Sequence, residues 1–271
     1  WLLTTGAVFF CRYLVNMWEY QVMEIGLVLT ALASGGFIGA VLGFIGAGGA
    51  MVSVPILLYL FDFTPAAATT AALAVVFLAA VAGLAPKFKS KDVLVKEALT
   101  IWSLGLLTNI GFGLIVTKIA DSVILIGFSM VLLGAAYSML KGPIKDSPEK
   151  KIPVWALVLL SLLIGSLTGL FGIGGGFLAI PVLVLFFHTP QNKAAGTSLL
   201  IIALNCLTAF LAKFSIWQEI DWGYPVIISV AAVLIAHYTS RLAAKTPTVH
   251  LKRGFAFLLI GLAGFTILAQ I

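Results

Sequence analysis

The chain has 271 residues, of which 61% are hydrophobic and only 10% charged, and its mean hydropathy is +1.15. Soluble domains carry about 25% charged residues, so this composition excludes soluble enzymes and disordered chains. The formal net charge of +6 comes from basic residues that lie between apolar runs, so it implies no nucleic-acid partner. The sequence predicts an all-α polytopic membrane protein.

Residues 1–23 form an N-terminal apolar segment of uncertain role, interrupted by Arg12 and Asn16. A cleaved signal peptide is disfavoured because no small-residue cleavage site follows. Eight apolar segments near the ~20 residues of a membrane-spanning helix come next. They are 24–47, 66–85, 95–117, 122–141, 153–173, 193–213, 222–243 and 251–270.

Two shorter apolar segments, 50–61 and 177–187, each follow a glycine cluster. At ~1.5 Å per residue they cross only part of a ~30 Å hydrocarbon core. We therefore predict two broken or re-entrant helices that follow glycine-rich motifs.

The glycine pattern occurs twice at one offset of 126 residues. Its first copy consists of Gly39, Gly43, Gly46, Gly48, Gly49 and Pro55, and its second of Gly165, Gly169, Gly172, Gly174, Gly175 and Pro181. The pattern predicts a first membrane repeat at 24–141, a polar cytoplasmic linker at 142–152 and a second membrane repeat at 153–271.

Lysine and arginine residues indicate the orientation of these repeats. They cluster at 87–96, 141–151 and 241–253, which the positive-inside rule places in the cytoplasm. The loop after the third helical piece is basic in the first repeat, whereas its counterpart at 213–221 is poor in positive charge. We therefore predict inverted-topology repeats.

Inverted repeats with broken helices are typical of secondary transporters, in which the substrate binds near the midplane between the repeats. Helix N-termini at the two breaks offer free N–H groups to an anion, and nearby hydroxyls add donors. The predicted substrate-binding residues are Gly46, Gly48, Gly49, Thr69, Thr70, Gly172, Gly174, Gly175, Gly176, Thr197, Ser198 and Asn205.

Structural alternatives accompany these assignments. Hydroxyls in membrane helices often bond to their own backbone, which is about as probable here as binding. Glycines four residues apart, such as Gly35, Gly39 and Gly43, are explained better by helix packing. Asn109 is a weaker candidate that could bridge two helices.

Several functions are disfavoured by what the sequence lacks. All ten aspartate and glutamate residues lie in loops or at predicted helix ends, which disfavours a cation substrate. Cys11 and Cys206 have no metal-ligand spacing around them, so neither a metal nor a cofactor is predicted. No nucleophile lies near a base within the predicted spans, so catalysis is not predicted. The expected partners are a small anionic substrate and membrane lipid, and the oligomeric state stays open.

The two glycine motifs with their prolines, and the Ala-Gly-Thr-Ser sequence at 195–198, resemble the TauE/SafE family of sulfite-exporter-like permeases. The first copy departs slightly, with Ala50 where the second has Gly176. The resemblance implies a multi-pass permease of a prokaryotic cytoplasmic membrane for sulfite, sulfoacetate or another organosulfonate. The alternatives are an anion channel, a carrier of a non-sulfur organic anion and, less favoured, an intramembrane enzyme.

Overall fold

The computed structural model describes residues 25–115, 119, 121–140, 153–171, 179–180, 183 and 189–243, with positions 253, 256–257, 259–261 and 263–264. Regular structure in these residues is entirely helical. The helices are α1 Ile25–Ile45, α2 Gly49–Leu60, α3 Pro65–Lys89, α4 Val95–Ile115, α5 Asp121–Leu140, α6 Val154–Phe171, α7 Gln191–Ala212 and α8 Gly223–Ala243. A 3-10 helix at Phe214–Glu219 follows α7.

Among the described helices, α1, α3, α4, α7 and α8 are long and apolar enough to cross a membrane. This confirms the predicted all-α, multi-pass membrane protein. The predicted bounds of the helices agree with the observed ones to within a few residues. Residues 1–23 and most of 177–187 and 251–270 lie outside the described residues.

Helices α3 and α7 form the centre of the bundle. In each of them 67% of the apolar window is buried, compared with 22% in α4. Helix α3 begins where the Thr64 hydroxyl accepts the Ala67 N–H at 3.3 Å, with Pro65 in the first turn. Small side chains on α3, such as Ala71 and Ala72, are fully buried, so other helices can approach its backbone closely.

The two central helices run antiparallel. Thr69, near the start of α3, is in contact with Lys213 at the end of α7. At the other end of the pair, Gly196 near the start of α7 lies against the carbonyl of Asp92, just beyond the end of α3. The α7 backbone rises about 24 Å between Thr197 and Lys213.

Helices α1 and α2 form a hairpin whose turn is the first glycine motif. Gly49 at the start of α2 lies against Leu42 of α1, so the chain has reversed direction. Gly43 of α1 lies beside Thr239 near the end of α8, whereas the Phe61 ring after α2 is 5.0 Å from the Tyr224 ring near the start of α8. The predicted helix break is thus confirmed at the first motif.

The same glycine contact occurs in both halves of the chain. In the first half, Gly39 of α1 faces the backbone carbonyl of Ala232 on α8. In the second half Gly165, the 126-residue counterpart of Gly39, faces the carbonyl of Gly105 on α4. The first helix of each predicted repeat therefore packs on a helix of the other. The repeat boundaries and their inversion in the membrane stay predictions.

Candidate functional site

The first break is formed by residues in the left-handed backbone region. Gly46 has φ of 76° and Gly48 has φ of 87°, values that side chains disfavour. Gly48 precedes the first turn of α2 and supplies no side-chain cap. Gly46 also lies so close to Ala195 of α7 that a Cβ atom at Gly46 would be 2.6 Å from the Ala195 Cβ. The break therefore lies against the start of α7.

The predicted residues Thr197 and Ser198 follow Ala195 by two and three residues on α7, so they lie near this break. Both side chains are fully buried. The Thr197 hydroxyl accepts the Leu94 N–H at 2.9 Å and donates to the Lys193 carbonyl at 2.7 Å. Its single proton is therefore already used. Thr197 holds the segment between α3 and α4 in place, which is the structural alternative that the sequence left open.

The predicted residues Thr69 and Thr70 lie at the opposite end of the central helix pair. Their hydroxyls donate to the Ala66 carbonyl at 3.0 and 2.8 Å. The Thr69 oxygen also accepts from the Lys213 ammonium at 3.5 Å. Because α3 and α7 are antiparallel, the two hydroxyl pairs do not surround one substrate near the midplane.

Asn205 lies between these two ends of α7 and is 1% exposed. The Nδ2 atom of Asn109, on α4, donates to Asn205 Oδ1 at 3.3 Å and to Thr208 Oγ1 at 3.2 Å. Asn205 Nδ2 and Asn109 Oδ1 are buried and have no hydrogen-bond partner in the described part of the chain. A buried amide without a partner is costly, so this pair is a strong candidate for contact with a polar ligand.

The second copy of the glycine pattern is described only as far as Gly169, and its remaining residues, Gly172, Gly174, Gly175, Gly176 and Pro181, lie outside the described residues. The helix before it, α6, ends at Phe171. Gly169 of α6 lies against the backbone carbonyl of Asn109. Gly172 therefore follows, three residues along the chain, a glycine that contacts Asn109.

Lys213 is a functional candidate that the sequence analysis did not single out, because its loop was interpreted only for orientation. The residue is 7% exposed and lies between the end of α7 and the Phe214–Glu219 segment. Burial lowers the pKa of the Lys213 ammonium to about 8. The signal available in the sequence was a single cation at the end of an apolar segment.

Two further features bear on what the protein can bind. A cavity of about 310 Å³ between α3 and α8 is lined by apolar side chains that include Leu78, Val226 and Leu234. These three side chains are also exposed, so the cavity suits a lipid chain better than an anion. No group of three histidine, cysteine, aspartate or glutamate side chains is placed to hold a metal ion within the described residues.

Comparison with known proteins shows the family. Residues 31–266 match the family model described as Sulfite exporter TauE/SafE. A probable membrane transporter protein of Methanocaldococcus jannaschii is 30% identical over 82% of this chain and 87% of its own length. A probable membrane transporter protein of Xylella fastidiosa is 27% identical over 90% of this chain and 97% of its own length.

A third relative, a probable membrane transporter protein of Bacillus subtilis, is 29% identical over 82% of this chain and 92% of its own length. No solved structure matches the chain significantly. The family match covers most of the chain, including the first glycine motif, both asparagines and both central helices. With its multi-pass helical bundle, the chain therefore belongs to the TauE/SafE sulfite exporter family of membrane permeases.

Proposed function

We propose that this permease is a secondary carrier for a small sulfur-containing anion such as sulfite, sulfoacetate or another organosulfonate. The substrate binds near the middle of the bundle and reaches either side by alternating access. The observation that carries the proposal is the free amide of Asn205, a buried donor on a central helix with no partner in the described residues.

The chemistry of this amide suits an oxyanion. The two N–H bonds of Asn205 Nδ2 can donate to two oxygens of one sulfonate or sulfite group. Helix α7 contains no aspartate or glutamate, and the one acidic residue of α4, Glu97, lies twelve residues before Asn109, so neither helix places a like charge beside the anion. The Asn109 side chain donates to Asn205 Oδ1, so the Nδ2 atom of Asn205 is still available for a ligand.

The glycine breaks have a different part in this proposal from the one expected. Gly46 lies beside Ala195, about 15 Å along α7 from Asn205. We infer that the first break is a close contact at one end of the substrate path, and that the central contact is made by Asn205. Rocking of one half against the other would open each end in turn.

Thermal stabilisation of the purified protein in detergent tests the substrate class. The compounds are sulfite, sulfate, thiosulfate, sulfoacetate, taurine, phosphate and chloride. A ligand of the folded state raises the unfolding temperature, and selective stabilisation by one sulfur anion supports the proposal. If the folded protein responds only to a non-sulfur anion, the sulfur assignment is wrong.

The Asn205→Ala variant tests the site. Loss of two hydrogen bonds to an anion is expected to weaken binding about a hundredfold or more, because each such bond contributes ~1.5–3 kcal/mol. Asn192→Ala is the matched control, since Asn192 is an exposed asparagine on the same helix. Equal affinities of the two variants would show that Asn205 does not contact the substrate.

Counterflow in proteoliposomes separates a carrier from a channel. A carrier preloaded with unlabelled anion accumulates labelled anion transiently, whereas a channel lets it equilibrate without overshoot. Analysis of the recovered compound also tests for catalysis, since a permease returns it chemically unchanged.

A further inference from the structure

We propose that Lys213 and Thr69 form a second anion-binding station, at the end of the bundle predicted to face outward, which the substrate occupies on its way to or from Asn205. The station rests on the proposed function, because its ligand is the anion that the permease carries. Its four supporting observations are the burial of a cation, its unfilled donors, its position and the contrast with the lysine at the opposite end.

The Lys213 ammonium is buried without sufficient hydrogen-bond partners. It has three N–H donors, and the recorded side-chain contact is the Thr69 hydroxyl at 3.5 Å. No carboxylate forms an ion pair with it in the described part of the chain. A buried cation is costly when it is not neutralised, so a bound anion would relieve an existing penalty.

The backbone that carries the Lys213 side chain is held in a fixed place. The Lys213 N–H bonds to the Phe210 carbonyl and the Ile216 N–H bonds to the Lys213 carbonyl, so the backbone on both sides is ordered. The Phe210 and Trp217 rings stack with centroids 4.3 Å apart, and the Trp217 indole donates to the Phe210 carbonyl at 3.1 Å. A segment whose backbone is already ordered loses less entropy when a ligand binds.

Thr69 completes the station because it can exchange its partner. Its hydroxyl donates to the Ala66 carbonyl and accepts from Lys213. An anion oxygen can accept the ammonium hydrogen bond in place of Thr69 Oγ1, and the Thr69 hydroxyl can donate to the same anion by giving up its bond to the Ala66 carbonyl. Charge-assisted bonds of this kind are shorter and stronger than bonds between neutral groups.

The lysine at the opposite end of the central pair has a different environment. Lys87, in the last turn of α3, is 3% exposed. Asp92 is close enough to act on it electrostatically. Lys87 thus has a nearby carboxylate, and in the described part of the chain none acts on Lys213. The anion station is therefore assigned to the Lys213 end.

The test compares Lys213→Gln with Lys213→Arg, and Thr69→Val with Thr69→Ser. Lys89→Gln is the control, because Lys89 is an exposed lysine at the end of α3, the other central helix. The probes are sulfite and sulfoacetate, and the readouts are the half-saturating concentration for uptake into proteoliposomes and the ligand-induced rise in unfolding temperature.

We expect Lys213→Gln to raise the half-saturating concentration about tenfold or more and Thr69→Val about threefold, as for lost charge-assisted and neutral hydrogen bonds. Lys213→Arg and Thr69→Ser should stay close to the unchanged protein. If Lys213→Gln behaves like Lys89→Gln in a protein that does take up the probe, the station is refuted.

The unfolding temperature without ligand distinguishes an anion-binding lysine from one that only stabilises the fold. Removal of an uncompensated buried charge in Lys213→Met should raise it, while the response to sulfite falls. If Lys213 only stabilises the fold, Lys213→Met should lower the unfolding temperature without ligand, and sulfite should still raise that temperature by the same amount as in the unchanged protein. That result would overturn the proposal.

The failures of the two proposals can be told apart. If the unchanged protein responds to acetate but to no sulfur anion, and Lys213→Gln weakens the acetate response, the substrate class is wrong and the station is supported. If sulfoacetate uptake depends on Asn205 but not on Lys213, the proposed function stands and the station is wrong.

Discussion

Gly46 is fixed as glycine by two independent requirements, its left-handed backbone and its contact with Ala195. In Gly46→Ala the backbone strain costs about 1–2 kcal/mol and the overpacking about 1–3 kcal/mol. We expect a clear fall in unfolding temperature in detergent. In Gly111→Ala no atom of the described residues outside the same helix turn lies within 4 Å of the new Cβ, so the better helix propensity of alanine should stabilise the protein slightly.

Effects of the same sign and size in Gly46→Ala and Gly111→Ala would contradict this account of the break. The two variants are well matched because each adds one methyl group to a glycine. They differ in backbone conformation and in available space.

Residue chemistry also shows why part of the candidate site could not be predicted. A threonine beside a helix start can bind a ligand or its own backbone, and the sequence is the same in both cases. Thr197 uses its hydroxyl to hold Leu94, a contact between residues 103 positions apart. Asn205 was predicted as a binding residue and is still a candidate, but the free state of its amide depends on where Asn109 lies.

At the scale of helices, length and hydropathy were sufficient to predict most elements. A ~20-residue apolar run needs its backbone hydrogen bonds satisfied within the membrane, so a helix is the natural outcome. The observed α3, Pro65–Lys89, extends four residues beyond the predicted end at 85. The prediction ended at the charges, whereas Lys87 is buried against the protein.

Which helices are neighbours could not be predicted, because small-residue spacing identifies a contact surface without its partner. The structure pairs α1 with α8 and α6 with α4. Along the second pair, Gly165 faces the carbonyl of Gly105, and the Thr108 hydroxyl donates to the Leu162 carbonyl at 3.1 Å.

The α4 and α6 contact predicts the effect of single methyl groups. In Gly165→Ala the new Cβ would collide with the Gly105 carbonyl, so the helices must separate and about 1–3 kcal/mol of stability should be lost. In Gly113→Ala, on the same surface, the nearest atom is 3.8 Å away and the change should be tolerated. Unfolding temperatures in detergent measure both, and equal losses would show that the contact is not as close as described.

At the scale of the whole molecule, the antiparallel helices α3 and α7 place the candidate polar groups at successive positions along the bundle. Thr197 lies at one end of α7, Asn205 in the middle and Lys213 at the other end. The sequence analysis expected Thr197 and Asn205 around one midplane site and did not assign Lys213 to it. Antiparallel helices instead distribute them along the bundle, as expected of a path with an entrance, a central site and an exit.

Orientation in the membrane is the last property that follows from this arrangement. Inverted repeats place the segments after α3 and after α7 on opposite sides, whereas parallel repeats place them on the same side. Ser90 follows α3, Glu219 follows α7, and both are exposed. In a background with Cys11 and Cys206 replaced by alanine, Glu219→Cys should react with an impermeant maleimide in intact cells, and Ser90→Cys only after lysis. Equal labelling of the two in intact cells would exclude the inverted arrangement, and with it the assignment of Lys213 to the outer end of the substrate path.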